Sequence, residues 1–465
     1  MLITRAELPD GALCDLRIAR GRIQTIAASL PRRNGEPRLD AAGGALLPGL
    51  HDHHLHLFAL AAVRHSLRCG PPAVQDAQAL RDGLTRARAS SPPRTWLRGV
   101  GYHESVAGAL DRRQLDAWLP DRPLRIQHRS GALWLLNSQA LDRLDVQRDA
   151  PPGLERDAHG EPTGRLWRGD SWLRERLGDE PPPLAEVGRA LACLGVTGVT
   201  DATPSNGPSE AAALGLALER GELPQRVHLM GNAKLPDPPH PRLTRGPLKL
   251  VLDEPRLPDF DTFVAAIAAA HREGRPVAIH CVTRSELVFA TTALREAGCR
   301  AGDRIEHAAV ANGAGLALLA QLPLTVVTQP NFVAERGDAY RREVDPADHA
   351  HLYRCRGFER AGIPFAGGTD APFGEPDPWA AMRAAVDRRT RAGHRLGPDE
   401  ALTPERALAL FTSPPQAPGA APRALAPGAP ADLCLLDRPW RIARRELSGR
   451  SVAATLCGGR IAWRA

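Results

Sequence analysis

The 465-residue chain is predicted to be an α/β protein, a (β/α)8 TIM-like barrel with a small β-domain drawn from both ends and an insertion after strand one. Three observations predict this. Short apolar runs alternate with Ala-rich amphipathic stretches from the middle of the chain onward. Histidines and an aspartate recur at the ends of those runs, where this fold collects its reactive groups. Both ends of the chain alternate apolar and polar residues, the period of a half-buried strand.

The first region, 1–45, reads as strands, with Arg20-Gly21 as a hairpin signal between Leu16 and Ile23. Residues 425–465 read likewise through Ala431 to Asp437 and Gly458 to Trp463. The two are expected to pair into one domain, 1–45 plus 425–465, leaving 46–424 as the barrel domain. Ala45 to Asp52 is strand one. An insertion at 64–185 follows and holds five of the eight tryptophans, Trp96, Trp118, Trp134, Trp167 and Trp172. Rings at that density form a sub-domain core or a wall over a site. Strands two to eight are read at Val196–Asp201, Arg226–Met230, Leu248–Leu252, Pro276–His280, Asp303–His307, Leu324–Pro330 and Pro364–Asp370. Helical stretches such as Phe263–Arg272 and Glu286–Ala297 lie between them. The Pro- and Ala-rich run from Ser413 to Pro430 reads as the connection back to the terminal domain.

Composition bounds the function classes. Mean hydropathy is −0.28, and no stretch approaches the roughly 18 uninterrupted apolar residues of a membrane span. The N-terminus lacks the basic and apolar regions of a secretory signal. Eight cysteines occur singly without a Cys-x-x-Cys pair, which fits a reducing cytoplasm and argues against a structural zinc site. Net charge is +7, yet the arginines are spread along the chain without a basic block, so nucleic acid is not expected as a partner. The expected partner is a small-molecule substrate; self-association into a homo-oligomer is left open.

His54 and His56 end the apolar run from Ala45, and strand geometry turns i and i+2 to one face. They can converge on one ion, while His51 and His53 face away. Imidazole at that spacing suits zinc and its neighbours. Lys234 and Lys249 are the only lysines among 60 basic side chains. Lys249 lies in an apolar run where an unpaired ammonium is costly. An amine can act as a nucleophile or take up carbon dioxide as a carbamate, and a guanidinium cannot; the alternative is a lysine paired with Asp253 or Glu254. With His280, His307 and Asp370, these residues read as the shell of a metal-activated water.

Pro48-Gly49-Leu50-His51-Asp52-His53-His54-Leu55-His56-Leu57 resembles the opening signature of the amidohydrolase superfamily. Asn137–Leu141, Pro162-Thr163-Gly164, Gly195–Asp201, Arg304–His307, Gly368–Pro372 and Leu425–Leu433 are similar to its branch containing N-substituted formamide deformylase. The resemblance implies a β-sandwich beside the barrel. It also implies that His54, His56 and Asp370 bind one metal, that His280 and His307 bind a second, and that Lys249 bridges them as a carbamate derived from carbon dioxide. Zinc, as one or two ions, is the expected metal. The chain departs from the pattern at Arg284, where relatives carry an acid, and at Ala132, where they carry a histidine.

The expected activity is hydrolysis of an amide-type C–N bond, linear or cyclic, with an N-substituted formamide among the candidates and Asp370 as general base. Alternatives are ester, lactone or C=N hydrolysis at the same site, or a catalytically silent metal-binding relative. Candidate substrate contacts are Tyr102, His103, Arg129, Trp134, Gln329 and Asn331. Arg284, beside His280, is a candidate for an anionic substrate group or for an ordinary surface salt bridge.

Overall fold

A computed structural model describes residues 1–178, 181–238 and 240–465. The chain divides into two compact units, Met1–Leu57 with Pro183–Ala465, and Phe58–Pro182. No helix among the described residues is long and apolar enough to cross a membrane.

The first unit contains an eight-stranded parallel sheet in sequential order. Its strands are β1 (Leu50–Leu55), β2 (Val196–Asp201), β3 (Arg226–Gly231), β4 (Leu243–Val251), β5 (Val277–Cys281), β6 (Arg304–His307), β7 (Thr325–Thr328) and β8 (Phe365–Gly367). Both faces of β1 and β2 are buried, as expected for parallel strands covered on each side. The ends of the sheet meet just beyond β8, where Asp370 N–H donates to His54 O at 2.7 Å and His56 N–H to Ala371 O at 2.8 Å. That closure makes the sheet a barrel. It requires a glycine at 368, because a Cβ there would lie 2.7 Å from the backbone nitrogen of His54.

Three sequence expectations change. The run from Ala45 to Asp52 is two strands, not one: Leu46–Pro48 pairs antiparallel with Leu433–Leu436, and β1 starts only at Leu50. Pro48 has no N–H, and Gly49 packs its bare Cα against Thr197, so the chain changes sheets there. Strand four starts at Leu243, five residues earlier than read, because Gly246 and Pro247 hide a strand from a propensity argument. Lys249 therefore sits near the end of β4, not early in it. Finally, among the described residues no helix intervenes between β3 and β4, so the strand–helix alternation is not complete.

The chain ends form two four-stranded sheets. One contains Leu2–Glu7, Leu13–Ala19, Arg22–Ala27 and Arg38–Asp40; the other contains Leu46–Pro48, Leu433–Leu436, Val452–Cys457 and Arg460–Arg464. Ile3, Leu16, Ile18 and Ile23 of the first share a core with Leu46, Leu433, Leu435 and Leu456 of the second. Arg20 and Gly21, both at positive φ, make the tight hairpin turn.

The second unit, Phe58–Pro182, compares with the 64–185 insertion read from sequence. It holds a six-stranded mixed sheet. Trp134 is buried in its core, and Trp96, Trp118, Trp167 and Trp172 pack against its apolar clusters, which is the sub-domain-core alternative for these rings.

Candidate metal centre

Asp52 ties the two ends of the barrel wall together at the site. Its Oδ2 accepts from Thr369 Oγ1 at 2.6 Å, and its Oδ1 accepts from the N–H groups of Thr369 and His54 at 3.0 and 3.1 Å. Burial pushes the Asp52 carboxyl up to about 7, with the Thr369 bonds opposing. This bracket holds Asp370 beside β1. Asp370 and His307 both adopt positive φ, 55° and 70°. A left-handed non-glycine residue costs about 1–2 kcal/mol; two of them at one site mark a geometry imposed by its surroundings.

His54, His307 and Asp370 each bring a ligand atom within 4.8 Å of the others. His56 Nε2 lies 3.2 Å from Asp370 Oδ1, and His54 Nε2 lies 3.5 Å from it. The His54 and His307 rings are 4.8 Å apart, and His280 and His307 are 4.5 Å apart. Lys249 pairs with Ala278, two residues before His280, in the β4–β5 register. It is buried, and its Nζ has no hydrogen-bond partner among the described residues. Thus the groups singled out in the sequence come together, while His51 and His53 turn away to Thr200 and Ser413.

The imidazoles are oriented from behind. His54 Nδ1 is bonded to the carboxylate of Glu306, His307 Nδ1 to Gln329 Oε1 at 2.6 Å, and His56 Nδ1 to Thr203 Oγ1 at 2.8 Å. Carboxylate and amide oxygens only accept, so His54 and His307 carry the proton on Nδ1 and leave an Nε2 lone pair. Glu306 is itself held by Arg304, whose Nε donates to it at 2.5 Å and whose Nη2 donates to His53 O at 2.7 Å.

Burial lowers the pKa of His54 to about 3, reinforced by the charge of Lys249, and burial lowers His280 and His307 as well. Burial also brings the Lys249 amine down to about 8, against the pull of Glu306. It would raise Asp370, but the hydrogen bond from His56 and the neighbouring imidazoles outweigh it and hold that carboxyl well below the usual range. His54, His280 and His307 are thus held as neutral imidazoles beside an ionised carboxylate.

The candidate substrate residues are divided between the two units. Tyr102 is a core residue of the second unit, its hydroxyl donating to Gly108 O at 2.5 Å. Trp134 is buried there and donates to Asp170 at 3.1 Å. His103 and Arg129 belong to the same unit, His103 Nδ1 lying 2.8 Å from Ser105 Oγ and Arg129 N–H donating to Tyr102 O at 2.8 Å. Gln329 holds His307, and Asn331 donates to Thr369 O and Glu335, both at 3.0 Å. Arg284 is exposed and pairs with Asp348 at 3.5 Å, the surface salt bridge of the two alternatives.

Sequence reasoning passed over Asp52, Thr203, Arg304 and Glu306. Strand alternation was a usable signal for two of them. Asp52 has the parity of His54 and His56, and Glu306 has that of Arg304 beside a ligand candidate.

The amidohydrolase family model matches residues 39–462. N-substituted formamide deformylase of Arthrobacter pascens is 27% identical, over 90% of this chain and 89% of that one. Among solved structures, an uncharacterised metal-dependent hydrolase from Pyrococcus horikoshii superposes with a TM-score of 0.73 at 20% identity, covering 94% of this chain and 97% of the other. A second, from Pyrococcus furiosus, gives 0.70 at 21% identity over 94% and 98%.

Proposed function

The chain belongs to the amidohydrolase family and is a metal-dependent hydrolase of carbon–nitrogen bonds other than peptide bonds; on that premise we propose that it cleaves an amide-type bond, linear or cyclic, with Asp370 as general base. The observation that carries the proposal is the convergence of four imidazoles, one amine and one carboxylate from five strands of the barrel.

The donor set fits a divalent cation. His54, His280 and His307, kept neutral by burial, stand beside an ionised carboxylate, and a buried amine with no hydrogen-bond partner among the described residues lies with them, a donor set that suits a cation. In this reading His54, His56 and Asp370 would hold one ion and His280 and His307 a second, and Lys249 would add a ligand oxygen as a carbamate derived from carbon dioxide. Zinc suits such ligands. When bound, it lowers the pKa of water from about 15.7 toward about 7 and polarises a carbonyl oxygen.

The chain's own groups do the rest. Asp370 takes a proton from the attacking water as its oxygen bonds to the carbonyl carbon. The C–N bond then breaks, and Asp370 returns that proton to the departing nitrogen. Glu306, Gln329 and Thr203 keep the imidazoles fixed throughout. Free cysteines at all eight positions support a reducing cytoplasm as the working compartment.

A panel of N-substituted formamides, longer linear amides, cyclic amides and lactones tests this reading. Turnover of amides above lactones, lost on chelation and restored by zinc, is expected. Turnover confined to lactones overturns it.

A further inference from the structure

The helix Asn331–Glu343, which follows β7, carries a second charged group to the neighbourhood of the candidate site. Arg336 lies with its guanidinium carbon 4.0 Å above the ring of Phe332, and its Nη2 donates to Phe373 O at 2.5 Å. Phe373 is three residues beyond Asp370, its N–H donates to Asp370 O at 2.8 Å, and its ring meets that of His56 edge-on at 5.3 Å. One residue thus joins Arg336 to both Asp370 and His56.

The rest of the guanidinium is unused. No carboxylate among the described residues pairs with Arg336, although Glu335 precedes it; Glu335 instead accepts from Asn331 and from Glu375 N–H. Among the described residues the Nε and Nη1 of Arg336 have no acceptor, yet they are not sealed from solvent, since the side chain is only half-buried. The stack on Phe332, itself against Tyr353, fixes the plane of the fork. An immobilised guanidinium with open N–H groups is suited to a carboxylate, which it can grip with two parallel bonds. Arg284, the arginine singled out in the sequence, is exposed and already paired with Asp348.

We infer that Arg336 is a specificity-determining residue that receives a carboxylate on the substrate, so that the amide cleaved at this site carries an acidic group. The inference rests on the proposed amide-hydrolase reading and narrows its substrate class.

Two measurements test it separately from that reading. First, kcat/KM is compared for N-formyl-β-alanine and its neutral primary amide in wild type and R336M. Wild type is expected to favour the acid, and the acid-to-amide ratio is expected to fall about 10- to 100-fold in R336M, chiefly through KM. An unchanged ratio overturns the inference. Second, butyrate and butyramide binding is measured by calorimetry on the purified enzyme, without turnover. Butyrate is expected to bind at least tenfold more weakly to R336M than to wild type. A carboxylate held by the metal alone would bind both equally, which also overturns the inference. Loss of butyrate preference in R336M alongside failure to hydrolyse any amide would leave the carboxylate site standing and refute the reaction. R336Q, which keeps a planar donor toward Phe373 O, serves for both measurements should R336M not fold.

Discussion

The carboxylate of Glu306 is bonded to Nδ1 of His54, so that Nε2 is the nitrogen His54 turns toward Asp370. The same carboxylate is the counter-charge of buried Arg304. Burial alone would raise the Glu306 pKa, but Arg304 and Lys249 hold it well below the usual range. One side chain therefore both orients a ligand and neutralises a cation inside the barrel.

Glu306→Gln should weaken metal binding by roughly 10- to 100-fold, as changes behind metal-ligating histidines commonly do. It should also cost about 3–5 kcal/mol of stability by stranding Arg304. Competition with a chelator measures the first effect and urea denaturation the second.

Lys249→Met replaces a buried amine, without a hydrogen-bond partner among the described residues, by an apolar chain of similar length. Chelator-treated protein should gain about 1–3 kcal/mol of stability from losing an unsatisfied polar group. Activity after metal is restored should nevertheless be lost. A variant that is both less stable without metal and fully active would remove Lys249 from the site.

Thr203→Val deletes the hydroxyl bonded to His56 Nδ1. The fold should be retained, since valine matches threonine in shape. Metal affinity should drop by the equivalent of about 0.5–1.5 kcal/mol, the usual net value of one hydrogen bond. Titration with a chromophoric chelator reads this directly.

Burial raises the Glu335 carboxyl to about 7. The folded chain thus holds this proton more tightly than the unfolded chain does. Its contribution to stability is fully present below about 4.5 and declines as pH rises through about 7. Glu335→Gln removes that dependence, so its Tm relative to wild type should rise between pH 5 and pH 8. A constant difference across that range would contradict the shift.

The barrel was legible because its strands are apolar runs, and the site was legible because histidine and aspartate stand at their ends. The start of β4 was not, since Gly246 and Pro247 are strand residues only where the barrel shelters them. Nor was the break at Gly49, which depends on Thr197 being opposite. Glu306, Thr203 and Arg336 escaped for a different reason: each is an ordinary residue type whose role comes from a partner more than 30 positions away in the chain. Arg284 drew attention by its neighbour in sequence, but the helix it begins carries it outward to Asp348.

Elemental analysis of the purified protein, set beside a His54→Ala/His56→Ala variant, tests the central claim most directly. One or two equivalents of a divalent metal per active chain are expected, falling sharply in the variant with activity. Full turnover by wild-type protein holding less than about a tenth of an equivalent would contradict a metal-dependent site built on these residues.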